Sequence, residues 1–347
     1  MRIEYTAALV LSLWTADCAS ERVAPPPPPP VNWQALAARN LPPQRSTTDE
    51  RAAAETYLAA LASPDFSALG SRLGADAHFM FPGARDAHGR DAIVHAHEAL
   101  LGAFEERALV ARRVWRMKSV QAVEWALTGH QSRDWMGVKA ANKSVRISGM
   151  ALLWTQDDGS IADLHLYFDL AAVKLQLGDG PRELVGVAKP AFGEVHDVGA
   201  SESTSLFEQT ASSAEASNVA VARTALIALE GSEVAGYEAV MADGVGVQTP
   251  GESARRGKGD AGAYFKAMHA AIGQLDATVT DAWGVGPFAV VEYTLAGEQV
   301  GPIDRVPVQR DKILVLHVVD VVEVASGQIS AIWRYDNPSE LLSEVSF

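Results

Sequence analysis

Most of this chain reads as one unit written twice. Two blocks of nearly equal length, Asp49–Gly178 and Ser217–Phe347, flank an acidic, serine-rich segment. Each block opens with an Ala/Leu-rich stretch of helical periodicity, Glu50–Ala62 and Asn218–Leu229. A Gly/Pro turn signal follows, Phe81-Pro82-Gly83 and Thr249-Pro250-Gly251, then a second helical stretch, Asp91–Glu106 and Ala261–Ile272. Strand-like runs close each block. Asp76 precedes Asp169 by 93 residues and Asp243 precedes Asp336 by 93, while Val123-Glu124-Trp125 corresponds to Val291-Glu292-Tyr293. The fold must therefore close within one block, about 130 residues, a length that supports a core of its own.

Helices first and consecutive strands after is an α+β order. The last strands of the first block, Val145–Thr155 and Ile161–Asp169, are joined by Gln156-Asp157-Asp158-Gly159. Asp-Gly suits a tight hairpin because the turn requires a positive φ. Residues 178–217 hold seven acidic against two basic residues and a serine-rich run from Ser201 to Ser213, which predicts a solvated linker over 179–216.

Composition excludes several classes. A hydrophobic share of 48% is too high for a disordered chain, and the single cysteine excludes a disulfide scaffold or a cysteine-based zinc site. A formal net charge of −14 repels phosphate, which argues against nucleic acid or an anionic membrane surface as the main partner.

The first fifty residues predict export. Tyr5–Trp14 is a ten-residue apolar run behind Arg2, too short to span a bilayer but of signal-core length, and small residues follow it. A signal peptide over 1–20 is expected, with Cys18 placed where a lipoprotein signal carries its acylated residue. Residues 21–48 are expected to be a proline-rich tether: the run Pro25–Pro30 predicts a stiff polyproline spacer rising about 3.1 Å per residue, with a ligand for a proline-binding module as the alternative. The expected location is the bacterial periplasm or envelope, with membrane contact only through a lipid on Cys18.

The run from Asp158 to Asp169 (DGSIADLHLYFD), followed by Gln176-Leu177-Gly178, resembles the C-terminal signature of SnoaL-like polyketide cyclases of the nuclear-transport-factor-2-like superfamily. The segment Gly129–Ile147 resembles that family's preceding hairpin, and the second block shares the layout without the Gln-Leu-Gly ending. The resemblance implies two tandem cone-shaped α+β barrels, each with N-terminal helices packed on a curved antiparallel sheet around an apolar pocket. It implies no cofactor and no metal, and it places a catalytic acid/base on Asp169. The family's tryptophan on the last strand is replaced by His165, and the Val145–Thr155 strand lacks a histidine. In the second block an ungapped count puts Asn337 at the Asp169 position.

Period-two geometry places Asp163, His165, Tyr167 and Asp169 on one face of the last strand, with same-face neighbours ~6.5 Å apart. Tyr167 is then a candidate oxyanion donor and His165 a proton shuttle beside Asp169. The competing reading makes Asp169 the N-cap of the following helix and turns the apolar face, Ala162, Leu164, Leu166 and Phe168, toward the core. Phe79, Phe81, Trp115, Trp125 and Trp154 are the candidate pocket aromatics. His78, His88, His95 and His97 lack ligand spacing, since His95 and His97 point apart on a helix, so no metal site is expected. The expected function is binding of a small apolar molecule or an envelope scaffold whose two domains pair within the chain or as a homodimer. The alternative is a cofactor-free cyclase or isomerase acting in the first-domain pocket.

Overall fold

The computed structural model describes residues 50–179, 204–248, 255–302 and 313–341. The expected signal peptide, Cys18, the proline tether and the Thr249-Pro250-Gly251 turn lie outside these residues.

The first module runs α1 (Glu50–Ala62), α2 (Ser67–Gly70), β1 (Leu73–Met80), β2 (Ala87–His88), α3 (Arg90–Leu101), β3 (Phe104–Met117), β4 (Val120–Gln131), β5 (Ser144–Thr155), β6 (Ile161–Tyr167) and α4 (Leu170–Gln176). A further strand, β7 (Ser205–Glu208), precedes the second module. That module comprises α5 (Ser213–Glu230), α6 (Val234–Ala239), β8 (Met241–Gln248), β9 (Arg255–Arg256), α7 (Lys258–Ala271), β10 (Ile272–Val285), β11 (Phe288–Gln299), β12 (Ile313–Ala325), β13 (Gln328–Asp336) and a closing 3-10 turn, Pro338–Leu341.

The first sheet has the order β2-β1-β6-β5-β4-β3-β7 and the second β10-β11-β12-β13-β8-β9, so the repeat read from sequence is a repeat of topology. The two turns that close the last hairpins match at a shift of 168 residues: Gly159 has φ 81° and Gly327 has φ 77°. Only glycine adopts that conformation without strain.

Three expectations need correction. The sheets are mixed rather than purely antiparallel, because β1 pairs with β6, and β8 with β13, in parallel. These partners are distant in sequence, so no hairpin fixes their direction. The helix expected over Asp91–Glu106 ends at Leu101, since from Phe104 the chain pairs with β4. Part of the predicted linker is folded: β7 adds to β3 in parallel, Arg113 opposite Ser205. Ser212 and Glu215 then form a reciprocal capping box that starts α5 within the serine-rich run.

Helices cover one face of each sheet, and alternation decides what each face buries. In β5, Ala151 and Leu153 join the first cone's core with Trp125, Phe79, Phe81 and Phe168, whereas Met150 and Leu152 point away from it. The fit inside is close. A Cβ added at Gly149 would stand 2.4 Å from the Trp125 ring, so the indole lies where only glycine leaves room.

The first cone also holds a buried histidine on α3. His97 is fully buried; its Nδ1 donates to the Ile93 carbonyl at 2.8 Å, leaving Nε2 to accept the Tyr57 hydroxyl at 3.1 Å. Burial pushes this imidazole down to about 4. A folded-state value below the unfolded ~6.5 means that the stability is present above pH ~6.5 and lost as pH falls toward 4, at ~1.4 kcal/mol per pH unit. Denaturant titrations at pH 7.5 and pH 4 are expected to differ by about 3 kcal/mol more in the parent than in His97→Gln, which keeps an acceptor for Tyr57.

Candidate functional site

The last strand of the first module, β6, shows two unlike faces. Leu164, Leu166 and the following Phe168 enter the first cone's core. The opposite face, carrying Asp163, His165 and Tyr167, meets the second sheet. There Trp115, Met117, Val120, Ala122, Met150, Leu152 and Tyr167 share one apolar cluster with residues of β10 to β13, including Trp283, Phe288, Val290, Val319, Val321 and Tyr335.

Polar side chains cross this seam in a reciprocal pattern. The Tyr167 hydroxyl donates to Glu292 Oε1 at 2.5 Å, and Tyr335 donates to Glu124 Oε1 at 2.6 Å. Tyr335 and Glu292 stand 168 residues beyond Tyr167 and Glu124. Each module therefore gives a tyrosine from its last strand to the other's glutamate, on β4 or β11. This is the self-complementary pattern of a two-fold dimer, realised within one chain. Burial and the neighbouring glutamates hold both phenols well above their usual range, so they remain donors.

The cation beside each glutamate breaks the symmetry. Arg113 grips Glu124 through two bonds, 2.5 and 3.0 Å, from within the same module. Glu292 instead receives His165 Nδ1 at 2.6 Å from the other module, and its Oε2 has no hydrogen-bond partner among the described residues. Burial opposes charge on His165, but hydrogen bonds and charges from Asp163 and Glu292 outweigh it and push the imidazole up to about 10.

Asp169 is separate from this pair. Its Oδ1 accepts the Ala172 amide at 3.0 Å, and with φ −81° and ψ 105° it is the N-cap of α4. Asn337, at the matching position of the second module, accepts the Leu170 amide at 3.2 Å and donates to the Pro82 carbonyl at 2.8 Å. The position thus caps a helix in the first module, and in the second it ties the end of the last strand to the first module.

The second cone differs from the first inside. The ladder that reads Val123–Ala151–Leu166 in the first sheet reads Val291–Asp320–Arg334 in the second. Arg334 donates to both Asp320 oxygens, at 2.9 and 2.8 Å, and to the Tyr293 hydroxyl at 2.7 Å. Tyr293 in turn donates to Asp320 Oδ2 at 2.7 Å, and Tyr264 on α7 accepts from Arg334. Burial pushes the Asp320 carboxyl up against the pull of the Tyr293 hydroxyl, and the two-pronged contact with Arg334 favours its ionised form. Asp320, Arg334 and Tyr293 line a cavity of about 20 Å³ with Leu226 of α5 and Tyr237 of α6, room for roughly one water.

Family comparison agrees with both halves of the topology. Residues 51–177 match the family described as SnoaL-like polyketide cyclase, and residues 221–332 match the SnoaL-like domain. The chain is a tandem SnoaL-like protein. Similar solved structures each cover one module's worth of it. A SnoaL-like protein from Jannaschia sp. CCS1 is 19% identical over 40% of this chain and 100% of its own, with a TM-score of 0.35. A protein of ketosteroid isomerase-like fold from Catenulispora acidiphila, crystallised with trimethylamine, is 14% identical over 36% and 90%, TM-score 0.32. An LEH-like epoxide hydrolase from M. tuberculosis is 19% identical over 36% and 82%, TM-score 0.31. No curated protein matches the chain.

In the first SnoaL-like domain the expected pocket aromatics divide. Phe79, Phe81 and Trp125 belong to the cone's core, where Phe81 and Trp125 pack against Phe168 with ring centroids 5.0 and 5.8 Å away. Trp115 and Trp154 are on the other face, in the seam: Trp154 packs against Trp283 at 6.1 Å and His165 at 4.6 Å. They cannot line one pocket with the other three, because alternate residues of a strand face opposite sides. Sequence reasoning missed Asp320, Arg334 and Tyr293. The available signal was a charged residue inside the valine-rich run Val318-Val319-Asp320-Val321-Val322. Among the described residues no helix is long and apolar enough to cross a membrane.

Proposed function

We propose that this tandem SnoaL-like protein binds a small, largely apolar molecule in its second domain, with the first domain serving as its fused structural partner. The supporting observation is the Asp320–Arg334–Tyr293 set, a charged and phenolic cluster at the floor of an otherwise apolar cavity. Pockets of this kind take an apolar body and fix its one polar end with a few placed donors. The Tyr293 hydroxyl and the Arg334 guanidinium are the groups that a ligand carbonyl or hydroxyl would meet. A cavity with room for roughly one water would admit such a molecule only with Leu226 and Tyr237 moved aside. Catalysis on Asp169 draws no support from its surroundings, where the carboxylate caps a helix.

The apolar run Tyr5–Trp14, Cys18 and the Pro25–Pro30 tether support placing the protein at a bacterial envelope, held there by a lipid on Cys18. The acidic charge fits a partner that is neither nucleic acid nor an anionic surface. A scaffold without ligand is the second reading, favoured by the packed aromatic interior of the first cone.

The test is solvent extraction of the purified chain followed by mass spectrometry, with titration of the uncharged apolar fluorophore N-phenyl-1-naphthylamine. Ala225→Leu places extra carbons in the cavity and should cost at most about 1–3 kcal/mol. The proposal expects a retained or titratable molecule that this variant loses while keeping its circular dichroism. Absence of binding in the parent, or equal binding in both, returns the protein to the scaffold reading.

A further inference from the structure

The parallel pairing of β1 with β6 brings together three side chains that are far apart in sequence. His78 stands opposite Asp163, and Met80 opposite His165. His78 Nδ1 lies 2.7 Å from Asp163 Oδ1, and His165 Nε2 lies 3.4 Å from the same oxygen. The three donor atoms all fall within 4.8 Å of one another. Ligands of one four-coordinate zinc ion, bonded at ~2.0–2.1 Å, are separated by about 3.3 Å. The 2.7 Å contact would therefore open by about 0.6 Å, the 3.4 Å contact already has the required spacing, and the two imidazole nitrogens lie within about 1.5 Å of it.

The surroundings carry the inference beyond a chance cluster. A histidine that ligates a metal through one nitrogen characteristically donates its other N–H to a carboxylate, which fixes the ring and its tautomer. Both histidines have that arrangement here. His165 turns Nδ1 to buried Glu292 at 2.6 Å, and His78 turns Nε2 to Asp86 at 3.1 Å. His165 is further held by Trp154, with ring centroids 4.6 Å apart. The side chains are partly exposed, 27% for His78, 36% for Asp163 and 14% for His165, so an ion has a route in and water can complete its coordination.

We propose that His78 Nδ1, His165 Nε2 and Asp163 form a binding site for a first-row divalent cation, zinc above all, at the seam between the two domains. Two imidazoles and one carboxylate with an open position suit Zn²⁺ and, through the same donors, Co²⁺. Because Glu292 of the second domain orients one ligand, occupancy would also brace the contact between the domains. The expectation that the sequence holds no metal site is thereby revised: the ligands are 85 and 87 positions apart and meet only through a parallel strand pair.

The full chain, stripped by dialysis against a chelator, is titrated with Co²⁺ followed optically and with Zn²⁺ in competition. One equivalent is expected to bind, giving ligand-field absorption that Zn²⁺ abolishes, and to raise the melting temperature. His78→Ala should remove the signal, and Asp86→Asn should weaken affinity by about 10–100-fold through the orienting bond alone. His95→Ala, an exposed histidine of α3, should bind as the parent does and controls for surface imidazoles. Absence of absorption at millimolar Co²⁺, or binding unaffected by His78→Ala, would show a proton-bridged network and overturn the proposal.

Discussion

Arg334→Ala is expected to destabilise the protein by about 3–5 kcal/mol, because it strands a buried carboxylate. Asp320 and Arg334 each expose only 6% of the side chain, so neither can turn to water when its partner is gone. The variant should also acquire a characteristic pH dependence. Burial pushes the Asp320 carboxyl of the parent up to about 7, and the variant loses in addition the two-pronged guanidinium contact that favoured its charge. A folded-state value above the unfolded ~3.9 means that stability is fully present below pH ~3.9 and is lost as pH rises through ~7. Arg334→Ala should accordingly be worst above pH 7 and should recover part of the loss in acid, unlike a simple cavity. Replacing the pair together, Asp320→Leu with Arg334→Met, should cost far less than Arg334→Ala. Urea unfolding of the three variants at pH 5 and pH 8 checks both statements.

Leu152→Asp is expected to cost about 4 kcal/mol or more, the range reached when an unpaired charge is buried. Leu152 is fully buried, and it packs against the second sheet rather than inside its own cone. The damage should therefore fall on the contact between domains. The expected signature in urea is loss of the cooperative link, with the single parental transition replaced by two. Leu152→Met conserves volume and should cost less than about 1.5 kcal/mol. An Asp at the neighbouring Leu153, which enters the first cone, should instead unfold the first domain.

The sequence disclosed the frame of the molecule through local signals. The duplication, the α+β order and the hairpin at Asp158-Gly159 are properties of spacing and turn chemistry, and each reappears in the structure, with Gly327 repeating Gly159. What it left open was which way β6 faces. An apolar row (Leu164, Leu166, Phe168) and a polar row (Asp163, His165, Tyr167) are equally compatible with a polar pocket over an apolar back, or with an apolar core behind a polar seam. Only the position of the second sheet decides, and that is a long-range fact. The Val-Glu-Trp and Val-Glu-Tyr match held the clue, since a glutamate inside a strand needs a donor, and here each finds the other domain's tyrosine. The family signature points to the end of the last strand, where Asp169 and Asn337 stand, whereas Asp320 and Arg334 lie within β12 and β13. The histidine cluster was unreadable for a different reason. Parallel pairing of β1 with β6 leaves no turn signature between them.

The central claim is that Tyr167 and Glu292 bind each other across the two domains, so that the polar face of β6 is structural. A double-mutant cycle on the intact chain, Tyr167→Phe with Glu292→Met, removes the donor and the acceptor in turn and measures that bond by urea unfolding. The predicted coupling is about 1.5–3 kcal/mol, the worth of a buried hydrogen bond to a charged group. Additivity of the two changes within about 0.5 kcal/mol would contradict the account.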